Sequence, residues 1–220
     1  MQRCLWILLL GLALSACHDD NHDRQEQPIE KPEPVPALAV GTYSVSIETD
    51  QELPTVGKYY SGADGSKLVV LNDAQDRAQI VMHYDVATNT WHSNQSDKNL
   101  RLEFAHYEKI ADQKLSVNEL VGRYALSLAD GSSIPVEVKA QGQMLSLDQN
   151  CRFTAKISES LLANIASYQL TENKCSALKN NEKGYIVVDQ DLEPAAFRLL
   201  SDRIGAQDLW PFHPKMRAYR

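Results

Sequence analysis

The amino-acid sequence predicts an all-β protein, on three observations. Apolar and polar residues alternate with a period of two in several short runs, as in strands with one buried face. Turn dipeptides such as Asp64-Gly65 and Asp130-Gly131 fall between runs spaced at ~8–12 residues, the rhythm of sandwiches and barrels. A stretch of the first half also recurs in the second. Val40 to Lys58 reads VGTYSVSIETDQELPTVGK, and Val121 to Lys139 reads VGRYALSLADGSSIPVEVK. Without a gap, Val40/Val121, Gly41/Gly122, Tyr43/Tyr124, Ser46/Ser127, Pro54/Pro135 and Lys58/Lys139 are identical. Val45/Leu126, Ile47/Leu128 and Leu53/Ile134 are apolar in both, which points to a duplicated β unit.

Each element follows from local pattern. Tyr43, Val45 and Ile47 alternate with Ser44, Ser46 and Glu48, and Tyr124, Leu126 and Leu128 repeat the pattern. Further strands are expected in the first copy near 56–60, 67–71, 79–84 and 100–107. In the second they are expected near 136–140, 144–147, 152–157, 168–171, 185–189 and 196–200. Ser160 to Ala166 (SLLANIA) reads as a helical turn, and 112–119 joins the halves. Each half is small for an independent core, so substantial contact between them is expected. The duplicated unit can form two small packed β lobes or one pseudo-symmetric barrel or sandwich.

Ahead of this body stands a leader. Arg3 precedes the apolar run Leu5 to Leu14, too short for a spanning helix of ~20 residues but suited to a secretory signal. The run ends in Leu14-Ser15-Ala16-Cys17, which resembles the lipobox of bacterial lipoproteins. The resemblance implies cleavage before Cys17 and acylation of its sulfur and new amino group. The alternative is an ordinary signal cut nearby, leaving Cys17 free. In diderm lipoproteins an aspartate after the lipidated cysteine favours the inner membrane. His18 stands there, so the resemblance implies the outer membrane, its face undetermined, with Asp19 one place on. Two or three acyl chains would anchor stably. The stretch from Cys17 to Asp23 also looks like a metal cluster, but lipid on Cys17 would block its sulfur. From His18 to Pro36 the chain is acidic and proline-rich, ending KPEPVP, and reads as an unfolded spacer. The expected organisation is a signal peptide over 1–16, a lipidated tether over 17–37, β repeats over 38–111 and 112–214, and a tail over 215–220.

The chain of 220 residues carries a net charge of −7, and loss of Arg3 with the signal would make it one unit more negative. No basic stripe is present, which argues against nucleic acid and leaves membrane attachment to the acyl chains on Cys17. Of four cysteines, Cys4 leaves with the signal and Cys17 takes lipid. Cys151 and Cys175 are expected to form a disulfide in an exported compartment, the alternative being a two-thiol metal site without a nearby histidine.

Motif chemistry is sparse. The histidines at 18, 22, 83, 92, 106 and 213 show no zinc spacing, although His83, His92 and His106 could meet across strands. Asp189 to Pro194 (DQDLEP) begins like a calcium loop but lacks its glycine and distal glutamate. No nucleophile elbow or phosphate loop is present. No metal, cofactor or catalytic residue is therefore expected. Tyr60 in the Tyr59-Tyr60 pair that follows Lys58, His83 on a strand, and Trp91 and His92 after a turn are the candidates for a binding surface. Trp210 reads instead as part of a closing terminal strand. The expected role is a non-catalytic binding, assembly or envelope-maintenance module contacting an envelope protein or glycan. An enzyme inhibitor or small apolar-ligand carrier is the alternative, and a hydrolase the second.

Overall fold

The computed structural model describes residues 33–48, 55–95, 100–128, 131–188 and 196–201, and the backbone of 205–211. All of these belong to one compact unit. The signal segment, most of the tether, Cys17 and the Asp189 to Pro194 turn lie outside the described residues, as do His18, His22 and His213.

The fold is all-β and has two lobes. The first runs through β1 (Gly41–Ile47), β2 (Thr55–Ser61), β3 (Lys67–Asn72), β4 (Ala78–Asp85), β5 (Thr90–Ser93) and β6 (Phe104–Ile110). These form one antiparallel sheet of six strands in the order β5-β4-β3-β2-β1-β6. A 3₁₀ turn, Val117–Leu120, lies in the connection to the second lobe and is capped by the Ser116 side chain. The second lobe comprises β7 (Gly122–Ser127), β8 (Ser133–Val138), β9 (Gln143–Ser146), β10 (Phe153–Glu159), β11 (Ile165–Asn173), β12 (Lys183–Val187), β13 (Phe197–Ser201) and β14 (Gly205–Pro211). It closes as an eight-stranded up-and-down barrel, β14 pairing with both β13 and β7. Thus the strand containing Trp210 does close the barrel. In each lobe the last strand returns antiparallel to the first.

Period-two patterning makes this architecture. In the barrel Leu126, Val136, Met144, Phe153, Ile157, Tyr168, Ile186 and Phe197 are buried in one core cluster. Eight strands leave an interior just wide enough for such side chains. The sheet has a core cluster on each face. Tyr43, Val45, Tyr59, Val69, Leu71 and Met82 occupy one. Tyr60, Leu68, Val70 and Val81 occupy the other, packed against Leu162, Ile165, Val187 and Leu200 of the barrel lobe. This second cluster joins the lobes, and it is why β3 is buried on both faces. Burying each such large apolar side chain contributes ~1.5–3 kcal/mol.

Polar ties flank the apolar seam. Arg198 on β13, only 5% exposed, donates to Asn72 Oδ1 at 3.2 Å and to the Asp76 carbonyl at 2.7 Å. The Thr42 hydroxyl donates to the Ala163 carbonyl at 3.3 Å. Asn164 bonds the connecting segment through Gln113 and Ala111.

Four sequence expectations need correction. Ser160 to Ala166 is not helical: Asn164 adopts a left-handed φ of 65°, and Ile165 and Ala166 pair with Val187 and Ile186. Leu100 and Leu102 precede β6 rather than lying in it, and instead cap the first sheet's core. The tether's end is not unfolded, because Val35 is wholly buried in that core and the Leu102 N–H donates to the Pro34 carbonyl at 2.7 Å. The gapless repeat holds only through its first strand. Tyr43 faces Tyr59, sixteen residues on, whereas Tyr124 faces Val136, twelve residues on. The second hairpin is therefore tighter, and Lys58 and Lys139 are not equivalent.

The disulfide is present. Cys151 and Cys175 are joined beside the Phe153–Asn173 end of the β10–β11 pair, tying the β9–β10 connection to the β11–β12 connection.

Candidate functional site

Where the turns of the sheet approach the barrel wall, a cleft of about 390 Å³ opens beyond the apolar seam. Its volume lies in the ~300–1,000 Å³ range of small-molecule sites.

Antiparallel register builds the barrel side. Directly opposed residues share a face. Ser158 faces Ser167, Ser167 faces Tyr185, and Tyr185 faces Leu200, forming one outward row across β10 to β13. Lys156, Gln169 and Lys183 form the next outward row. Their neighbours Ile157, Tyr168, Ile186 and Leu199 point into the barrel core, so the polar side chains must face out. Gly184 on β12 has a steric reason to be glycine. A Cβ there would lie 1.9 Å from the Leu200 carbonyl oxygen and 3.0 Å from the Tyr168 ring.

The opposite side comes from the sheet. His83 on β4 pairs with Leu68 and with His92. The two imidazoles stack with centroids 5.0 Å apart and planes 18° apart. The His83 ring meets the Tyr185 ring edge-on at 6.4 Å, so these rings approach across the lobe boundary. Asp64 and Ser66 come from the β2–β3 turn, where the Asp64 carboxylate accepts from both the Ser66 N–H and its hydroxyl. Asp85 begins the β4–β5 turn and accepts from the Ala87 N–H at 2.9 Å. That hydrogen bond, with contributions from Thr88 and the Lys183 ammonium, holds the Asp85 carboxyl below the usual carboxylate range. Asp85 is therefore a fixed negative charge near neutral pH.

The predicted surface residues separate into three settings. His83 and His92 stand together on the barrel-facing side of the sheet. Tyr60 is on that same side but only 2% exposed, because it packs into the seam, so it offers no surface to a partner. Trp91 is on the other side. It tilts against Tyr84 at 5.5 Å and packs on the first core, while the Lys67 ammonium lies 4.9 Å from the Tyr84 ring and 5.9 Å from the Trp91 ring. Lys67 also pairs with Glu33 at 3.1 Å. His106 lies on β6, at the opposite edge of the sheet from β5, so the three histidines do not converge. Among the described residues no group of histidine, cysteine and carboxylate side chains has metal-holding geometry.

Sequence reasoning missed Ser158, Ser167, Gln169, Lys183 and Tyr185. Their outward phase is readable from strand alternation. That a second lobe overhangs this part of the barrel wall is a property of the docked pair.

Compared with known proteins, the chain matches no family model, no curated protein and no solved structure.

Proposed function

We propose that this chain is an outer-membrane lipoprotein, anchored through Cys17, whose folded part is a non-catalytic binding module that engages an envelope protein or glycan through the interlobe cleft. The cleft itself carries the reading. It is preformed between two walls fastened by an apolar seam and by Arg198, and it combines aromatic rings with outward polar side chains. Such a mixture suits recognition, where rings supply contact area and a few polar groups fix orientation. Preorganised walls also lower the ordering cost of binding. Among the described residues the barrel core is one cluster of packed apolar side chains, which favours a surface site over a lumen that carries an apolar ligand.

Two measurements test the two halves of the proposal. Radiolabelled palmitate should enter the wild-type chain and not Cys17→Ser, and the variant should leave the membrane fraction. A photo-crosslinking residue at position 167 in intact envelopes should capture a reproducible partner. The same residue at Val56, which is 49% exposed outside the cleft, should not. Equal capture from both positions, or none from 167, would reject the cleft as the binding site.

A further inference from the structure

The geometry points to an uncharged saccharide of one or two rings as the occupant of the interlobe cleft, an inference that rests on the cleft being the binding site.

Charge narrows the ligand first. Asp64 and Asp85 oppose Lys183 among the lining groups. With Asp85 held ionised by its turn, the cleft has no cationic excess with which to bind phosphate, sulfate or another polyanion. Polarity narrows it further. The lining is mixed: Leu68, Val81, Val86 and Leu200 stand beside Ser158, Ser167 and Gln169 at outward strand positions, so a purely aliphatic chain would strip water from the hydroxyl and amide groups without replacing their hydrogen bonds. A polyol replaces them. Ser158, Ser167 and Tyr185 lie on successive strands ~4.8 Å apart. This sets the Ser158 and Ser167 hydroxyls on neighbouring strands of the floor, within the span of a single sugar ring.

The aromatic groups complete the fit. Tyr185 supplies an apolar ring with a polar tip, and the His83 imidazole stands edge-on to it, braced by the stack on His92. The C–H face of a pyranose would lie against these rings while its hydroxyls reach the Ser167, Gln169 and Asp85 side chains. Carboxylate and amide groups can serve several hydroxyls at once, because each oxygen accepts more than one hydrogen bond.

The test is an array of immobilised glycans probed with the full-length chain in detergent micelles. Neutral hexose, N-acetylhexosamine and mixed disaccharides form one arm, and sialylated and sulfated glycans the other. Binding confined to neutral members is expected. It should weaken by at least about tenfold in Ser167→Trp, which fills the cleft, and in Gln169→Ala, which removes an exposed amide without touching the core. Val56→Trp should bind as wild type. Binding only to charged glycans, or neutral binding unaffected by the cleft variants, would overturn the assignment. So would an empty array while position 167 still captures a protein in envelopes, an outcome that leaves the cleft reading standing. An empty array with no capture fails both.

Discussion

The two lobes solve the edge problem of a β-sheet differently. The barrel closes on itself: each of its eight strands has two hydrogen-bonded neighbours, and its core is lined chiefly by its own strands, with Leu115 and Leu120 of the connecting segment packed among them. The first lobe begins the same meander but stays open. Its edges are β5, only four residues long, and β6, whose pairing with β1 is interrupted by a register shift and which carries His106, Glu108 and Lys109. Short, irregular and charged edges of this kind resist pairing with other chains. An open sheet must still bury both of its apolar faces. One face is covered by coil, with Val35 and Leu38 from the entering chain and Leu100 and Leu102 from the connection before β6. The other face is covered by the barrel wall. The open lobe therefore depends on the closed one, and the cleft exists because the dependent sheet leans on the barrel only over part of its surface.

Perturbing the seam should expose that asymmetry most strongly. Leu68→Ala empties a fully buried position and should cost ~2–5 kcal/mol in equilibrium unfolding. A variant that unfolds at the wild-type denaturant midpoint would mean the seam is not well packed.

The reverse test acts on the barrel. Replacing Cys151 and Cys175 by serine opens a loop with a sequence separation of 24 and should cost ~3 kcal/mol by the chain-entropy model. Loss of barrel cooperativity is expected with it, whereas a loss confined to the first lobe would contradict the comparison. Arg198→Met is the smaller polar version. It removes two interlobe hydrogen bonds from a charged donor and should cost ~1.5–3 kcal/mol. Restoring the wild-type midpoint by Arg198→Lys would show that charge rather than geometry holds the tie, contrary to expectation.

The smallest effects concern pH. Burial holds the Tyr59 phenol in the sheet core and the Tyr124 phenol in the barrel above the ordinary tyrosine value. The unfolded chain then ionises first as pH rises through ~10, so stability is full below that pH and falls above it. Phenylalanine at both positions should flatten this alkaline slope, and an unchanged slope would assign it elsewhere. At the acid end, burial alone would raise the Asp73 pKa, but hydrogen bonds from the Arg77 N–H and guanidinium and the Gln75 N–H lower it overall. This group stabilises above its unfolded value and loses that effect as pH falls through its folded one. Asp73→Asn should reduce acid sensitivity slightly in a pH-resolved melt.

Strand phase was legible wherever one face is apolar and the other polar. Tyr43, Val45 and Ile47 lie on the core face as their alternation implies. β5 escaped notice because Thr-Trp-His-Ser has no apolar alternation and owes its strand conformation to pairing with β4. Leu100 and Leu102 alternate as a strand would, yet serve as caps, since an apolar pair satisfies either role. The repeat does not extend beyond its first strand; identity of residues does not report loop length. Tyr60 illustrates the limit for the site. A tyrosine pair after Lys58 looks like a surface anchor until the partner lobe covers Tyr60. The disulfide pairing was readable because only two cysteines follow Cys17.

Hydrogen exchange of the folded Leu200→Ala chain tests the dependence of one lobe on the other most directly. Leu200 is a barrel-strand residue whose side chain lies in the seam. The lobe dependence predicts that the largest loss of amide protection falls in β2, β3 and β4 of the sheet, with β7 to β10 of the barrel nearly unchanged. Loss of protection confined to the barrel, with the sheet as protected as before, would contradict it.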